Sequence, residues 1–458
     1  MTGDRGLRRQ DNDAMRRLLV VVPLALIVVA LLVGNAPAQE LKLTVEEVRQ
    51  RVLQSNRGVQ SAKEEVNKAK SEIVTARAGA FPEIDLSSYY RRDFSIAPVF
   101  FEADGEIQQL KFGFKNNFGA SISLRQPLWE GGKVFTAYKI AKQYHQYAQV
   151  GADRVGAVAV HDGELLLYRA ILDEARVAVL KQALKTAEKN LEVVEAHHSQ
   201  GMVSRFELMR ARVERSNLLP RILGAESDVR LSKKRLQSFL DIDLDQPVAL
   251  VEPDDDTSLE SLGALEFFTD TALASRRELK QIDLMVDMTR RAVRVARAGY
   301  FPSLAAVSNY SWQSQSDEFT LSKNEATSFT AGVTLSLPIF DGGVTRGAVG
   351  KMKAEHRQSL INQQELTDQI RLEVEQAYDQ LVQAQKMVQI HRETIAQAEE
   401  GLRIADLRYQ AGEGTLLEVL SAQTVLTDVR TSLAEATFAF RRSLAALKLA
   451  SNIDTIGD

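Results

Sequence analysis

From Val45 the apolar residues return every seven positions, at Val45, Val52, Val59, Val66 and Ile73, with Val48, Ser55, Ala62, Ala69 and Ala76 interleaved. This is a heptad, and it predicts a helix that supercoils against neighbours at close range, because the interleaved residues are small. Thr44 with Glu47 supplies a capping box at its start. Phe81-Pro82 then stops the helix. The period drops to two: Ile84, Leu86, Ser88 and Tyr90 alternate with Asp85, Ser87, Tyr89 and Arg91. After a polar loop containing aromatic residues, Phe118, Ala120, Ile122 and Leu124 alternate with Gly119, Ser121, Ser123 and Arg125. Two strands are predicted, over about 82–92 and 117–127. Gly131-Gly132 turns the chain back into helix. The next helix, from about Ala137 to Gln200, keeps a three–four apolar spacing. At that length it would be roughly 95–100 Å long. Gly201 ends it, and a return helix starts near Ser204, with Pro220 expected to kink it.

The whole succession comes twice. Ala76-Arg77-Ala78-Gly79-Ala80-Phe81-Pro82 recurs as Ala296-Arg297-Ala298-Gly299-Tyr300-Phe301-Pro302, and Pro127-Leu128-Trp129-Glu130-Gly131-Gly132 recurs as Pro338-Ile339-Phe340-Asp341-Gly342-Gly343. Gly201, Glu207 and Ala211 return as Gly412, Glu418 and Ala422. Leu265, Ala272, Leu279, Val286 and Val293 repeat the first heptad, and strands are expected over about 302–312 and 328–338. A long helix from about Thr345 to Ala411 and a return helix capped by Thr415 follow. The first repeat is placed at 39–250 and the second at 263–458. The Pro- and Asp-containing stretch from Asp241 to Ser261 reads as the connection, with 251–262 as the linker proper. The predicted fold is mainly α with a small membrane β part, a duplicated helix–strand–strand–helix–helix.

The N-terminal segment changes the compartment. Met15-Arg16-Arg17, the apolar run Leu18–Val33 and Ala36-Pro37-Ala38 form a secretory signal pattern, with cleavage expected after Ala38. The same pattern makes Met15 an alternative start. Removing residues 1–38 takes away five Arg and three Asp and moves the formal charge from −4 to −6. A mildly acidic exported chain is a poor nucleic-acid binder. The chain has no Cys, which rules out disulfides and thiolate metal sites. Nucleophile elbows, phosphate-binding glycine loops and metal-ligand spacings are absent from the sequence, so no enzyme, metal or cofactor is expected. His197-His198 sit side by side near a helix end, where adjacent residues do not share a face.

No later apolar run reaches the length of a spanning helix, so a membrane protein of this sequence must span with strands. Strict alternation over the two strand pairs, with small and polar residues on one face, fits that use. Trp129, Trp312 and Phe340 at strand ends are expected interface anchors. A soluble hairpin with one buried face is the competing reading. Four strands cannot close a barrel, and an open edge in lipid strands backbone groups at several kcal/mol each. Two chains would give eight strands and a side-chain-filled interior; three would give twelve strands and a lumen. A trimeric 12-stranded barrel on a long helical coiled-coil barrel is therefore expected. The alternative is a structural coiled-coil envelope protein that conducts nothing.

These features together resemble the TolC-type outer membrane efflux protein family over essentially the whole mature chain. The carriers are the two duplicated junction motifs and the segment Tyr409-x-x-Gly412-x-x-Thr415-x-x-Glu418-Val419-Leu420-x-Ala422. The resemblance implies an outer-membrane homotrimer with a long periplasmic extension. It implies an exit duct for a tripartite efflux pump or a type I secretion system, served by a periplasmic adaptor and an inner-membrane transporter. It also assigns the gate and adaptor contact to two turns: Gly201, Met202, Val203 and Ser204 with Glu207, and Gly412, Glu413, Gly414 and Thr415 with Glu418. Tyr409 and Glu207 match positions that hold the gate shut in family members. Gly414 stands where a basic residue can stand, and Ser421 where some members carry an acidic one. That leaves Glu418 as the ring carboxylate, three per trimer, favouring cations; the competing reading of Glu207 and Glu418 is as plain N-cap partners.

Overall fold

A computed structural model describes residues 40–103, 106–253 and 262–453. The expected signal 1–38 and most of the expected linker lie outside them. The chain runs β1 (Leu41–Leu43), α1 (Val45–Ser55), α2 (Arg57–Ala78), β2 (Glu83–Arg92), β3 (Pro98–Ala103), β4 (Glu106–Lys111) and β5 (Asn116–Glu130). It continues with α3 (Lys133–Ser199), α4 (Arg205–Phe239), β6 (Val248–Leu250), α5 (Leu265–Ser275), α6 (Arg277–Arg297), β7 (Ser303–Ser316), β8 (Glu325–Ser336), α7 (Val344–Gln410) and α8 (Leu416–Ser451). The fold is mainly helical and the residues fall into two compact units. Among the described residues no helix is long and apolar enough to cross a membrane.

One unit, built around 52–162, 257–393 and 439–453, holds the four-stranded sheet β2-β5-β7-β8, antiparallel throughout. Its register carries the functional information. Leu86, Ile122, Tyr310 and Phe329 stand in one cross-strand row, and Ile84, Leu124, Ser308 and Ala331 in another. Paired residues project from the same face. Every strand therefore contributes its apolar set to one face. The opposite face carries rows such as Ser87–Ser121–Ser311–Ser328, with the Ser87 and Ser121 hydroxyls 2.9 Å apart. On that face Tyr89 lies over Gly119, where a Cβ would collide with the ring. Among the described residues the outer edges of β2 and β8 are unpaired.

Three expectations need correction. Each repeat's first helix is broken, at Asn56 and at Arg276. Both breaks are extended, with φ/ψ near −63/128° and −61/132°. Their separation in sequence equals that of the Phe-Pro junctions. The Asn56 side chain accepts from the Gly58 and Val59 amides at 2.9 and 3.3 Å, and the Arg276 guanidinium donates to Glu373 at 2.6 and 3.3 Å. The heptad reads through the first break because Val52 and Val59 stay buried on either side. A period alone does not register a cap in its middle.

Second, the aromatic loop after β2 contains the β3–β4 hairpin, and β6 pairs in parallel with β1 inside the stretch read as connection. Third, β8 occupies 325–336 rather than 328–338. Pro338 lacks an N–H and restricts Leu337, so the ladder stops early and Phe340 lies beyond the strand.

The second unit, built around 40–51, 163–253 and 394–438, is a helical row. On α3, Lys181, Glu188 and Glu195 pair with Glu226, Arg215 and Arg212 of α4. The opposite flank of α3 meets α8: Arg176 pairs with Glu435 at 2.6 Å, and Gln423 donates to the Ala183 carbonyl at 3.0 Å. The two sets are each spaced by sevens and lie about 160° apart around the helix. Glu399 of α7 meets Arg430 of α8 at 2.7 Å. The order is α4–α3–α8–α7.

Candidate functional site: the two hairpin turns

The α3–α4 and α7–α8 turns share one backbone design. Gly201 and Gly412 both adopt positive φ, near 73 and 76 respectively. That is the left-handed conformation, which L side chains avoid. The Gly201 amide donates to the His198 carbonyl at 3.0 Å and the Met202 amide to His197 at 2.9 Å. In the second turn Gly412 donates to Tyr409 at 3.1 Å and Glu413 to Arg408 at 2.9 Å. Both are Schellman closures, which satisfy the last carbonyls of a helix. The chain then restarts a helix at Ser204 and at Thr415.

The restarts differ. Ser204 and Glu207 form a complete capping box: the Glu207 amide donates to the Ser204 hydroxyl and the Ser204 amide to the Glu207 carboxylate, both at 3.3 Å. Thr415 accepts from the Glu418 amide at 3.3 Å, but the Glu418 carboxylate turns instead to Arg408, 3.8 Å away. The Arg408 guanidinium also donates to the Glu413 carbonyl at 3.2 Å. Arg408 is the site residue that sequence reasoning missed. Its signal was a basic residue in the last turn of a helix. Gly414 belongs to the same arrangement: a Cβ there would stand 3.1 Å from the Arg408 Cβ.

A buried cluster joins the turns. Val194, Leu208, Ala211, Leu416 and Leu420 pack together, with Val203 and Tyr409 against them. Burial, and then the charge of Glu207, raise the Tyr409 phenol above its ordinary pKa, and its hydroxyl has no hydrogen-bond partner among the described residues. Burial also raises the Asp406 carboxyl. The Tyr409 ring lies 6.0 Å from the His197 ring, whereas His198 Nδ1 lies 3.0 Å from the Val203 carbonyl. The two histidines therefore point apart. Among the described residues no His, Asp and Glu group could hold a metal ion. Met202, Glu413 and Glu418 are exposed, and Glu418 with Ser421 and Gly401 lines an open groove of about 740 Å³ between α7 and α8.

In the sheet, Trp129 pairs with Leu304 near the helix end and Trp312 with Ala120 toward the loop end. They share the apolar face, and their rows are eight positions apart along β7. At a strand's rise of ~3.3 Å per residue, that spacing is about 26 Å. Phe340 is exposed beyond β8. A second aromatic group was not foreseen: Phe319, from the β7–β8 loop, packs on Tyr90 and Phe118 with centroids 5.4 Å apart.

The chain matches the family described as outer membrane efflux protein over residues 48–240 and 269–452. It belongs to that family. Members are outer-membrane channels of efflux and secretion, and this chain is one. It is 22% identical over 402 residues to Nodulation protein T of Rhizobium leguminosarum bv. trifolii, covering 87% of this chain and 83% of that one. It is 22% identical over 440 residues to Proteases secretion protein PrtF of Dickeya chrysanthemi, covering 92% and 89%. The solved structure of CusC shares the fold, with a TM-score of 0.73 at 17% identity over 91% of this chain and 94% of that one.

Proposed function

We propose that three copies of this chain close one twelve-stranded antiparallel barrel in the outer membrane. The observation that carries this is the register. It assembles an apolar wall and a polar wall on opposite faces of one sheet and leaves both edges open. β2 and β8 run in opposite directions, so β8 of one copy can pair antiparallel with β2 of the next and continue the sheet around a ring. Twelve strands leave an aqueous lumen lined by the Ser, Thr and Gly face. Trp129, Trp312 and Phe340 anchor the wall at the two interfaces.

The helical row is the chain's periplasmic part. The turns around Gly201 and Gly412 form its closing end, with Tyr409, Glu207 and Glu418 as gate groups and Met202, Glu413 and the α7–α8 groove exposed to a periplasmic adaptor. Solutes reach it from an inner-membrane transporter through that adaptor. Native mass spectrometry of the detergent-purified chain tests the ring: a trimer is expected, and a stable monomer with intact strands would sink it.

A further inference from the structure

At the foot of the sheet, where α2 ends and α3 begins, the first repeat holds an open cavity of about 440 Å³. That lies within the roughly 300–1,000 Å³ of small-molecule sites. Leu128 and Trp129 line it from β5, Val134, Phe135 and Tyr138 from α3, and Arg77 from α2. Leu128, Trp129 and Phe135 are still 53%, 53% and 63% exposed. Trp129 belongs to the apolar face of the sheet, so the cavity continues that face down to the helices.

Cations gather at the same place. The Lys139 ammonium lies 4.2 Å from the centre of the Phe135 ring, the Lys142 ammonium 5.8 Å from that of Tyr138, and the Arg77 guanidinium 5.2 Å from that of Phe81. Among the described residues none of these three cations forms an ion pair. Glu130 also lines the cavity, yet residues 127–142 carry three Lys against that one Glu, a net +2. The second repeat keeps the junction motif without this lining. Counted from the shared Gly-Gly, Arg346 and Val349 stand where Phe135 and Tyr138 do. Its two helices also approach more closely. A Cβ on Gly299 would stand 2.8 Å from the Thr345 hydroxyl, whereas one on Gly79 would stand 3.7 Å from Val134.

We propose that the cavity seats an anionic phospholipid of the outer membrane, with its chain against Trp129 and Phe135 and its headgroup on Arg77, Lys139 and Lys142. This rests on the barrel reading above and names a lipid that the wall binds. An apolar cavity opening from a lipid-facing wall takes an amphiphile, and the cations beside it favour a negative head. The rings hold those cations at the boundary where headgroups lie.

The chain has two Trp, Trp129 and Trp312, so each can be read alone. Full-length Trp312→Phe and Trp129→Phe chains are reconstituted in phosphatidylcholine vesicles. The vesicles contain phosphatidylglycerol or phosphatidylcholine brominated near the headgroup, which quenches a tryptophan only on close approach. Brominated phosphatidylglycerol should quench Trp129 with an apparent affinity about fivefold above that of brominated phosphatidylcholine, the attraction expected of one cation. Trp312, toward the loop end of the sheet, should show no preference. Arg77→Gln with Lys139→Gln should abolish the preference at Trp129. Phe135→Arg with Tyr138→Val, which copies the second repeat, should abolish it too, although it adds a positive charge. Quenching of Trp312 in the same variants reports that the sheet has formed. Equal quenching of Trp129 by the two lipids, or a preference that Trp312 shares or that survives either double variant, overturns the site and leaves the barrel reading standing. No quenching of either tryptophan overturns both.

Discussion

The two hairpin turns are copies that kept one kind of chemistry and lost another. Both close with a glycine at positive φ and a Schellman pair, and both restart from a hydroxyl cap. Only the first completes its capping box. In the second the same carboxylate is drawn away to Arg408 across 3.8 Å, in an exposed pair. The backbone design has no substitute, because the last carbonyls of a helix must be satisfied whatever the side chains do. The side-chain lock is free to vary. The first turn is held by short-range bonds within its own helix start. The second is held partly by a loose ion pair of the kind that salt screens and that contributes about 0–1 kcal/mol.

That contrast can be broken or sharpened in order of effect. The cluster beneath both turns should not distinguish them, since Leu208 and Leu416 are both buried in it. Leu208→Ala and Leu416→Ala should each cost about 2–5 kcal/mol in denaturant unfolding. An effect at one site alone would show that the turns do not share a core. Gly201→Ala and Gly412→Ala should each cost about 1–2 kcal/mol, because both force a side chain into the left-handed region. The two losses should be equal within error, since both glycines hold nearly the same φ. The turns should part at the caps. Ser204→Ala should cost about 1 kcal/mol and Thr415→Ala less. The reason is that only Ser204 takes part in a reciprocal box. Equal losses would remove the distinction.

Arg408→Gln should change stability by less than about 1 kcal/mol and abolish the salt dependence of the second turn's hydrogen exchange, leaving that of the first unchanged. The smallest expected effect has a sign set by linkage. Burial raises the Asp406 pKa above its unfolded value, so its contribution is complete below the unfolded value and is lost as pH rises through the folded one. Asp406→Asn should therefore stabilise the chain at neutral pH and do nothing in strong acid, read by thermal melts at the two pH values.

The sequence made the duplication, the four sheet strands, the junction glycines and both turns legible, because each rests on a local requirement. Alternation marks a two-faced strand, and Gly201 and Gly412 mark helix ends. The Asn56 and Arg276 breaks were hidden because a single extended residue can interrupt a helix without disturbing its seven-residue period. The β1–β6 pair was hidden for another reason. The short segments at Leu41 and Val248 carry no local signal and pair only through tertiary proximity. Arg408 is hard to read from the sequence because the family resemblance points to position 414, on the far side of the glycine. The fold brings the guanidinium back from the preceding helix.

We have proposed that the two turns form the closed end of a conducting duct. It is tested most directly by single-channel recording of purified trimer in a planar bilayer. Wild type should show a small, cation-preferring conductance. Arg408→Gln with Glu207→Gln should raise the conductance, and Glu418→Gln should reduce the cation preference. An intact trimer that conducts nothing in any of these forms would contradict the account.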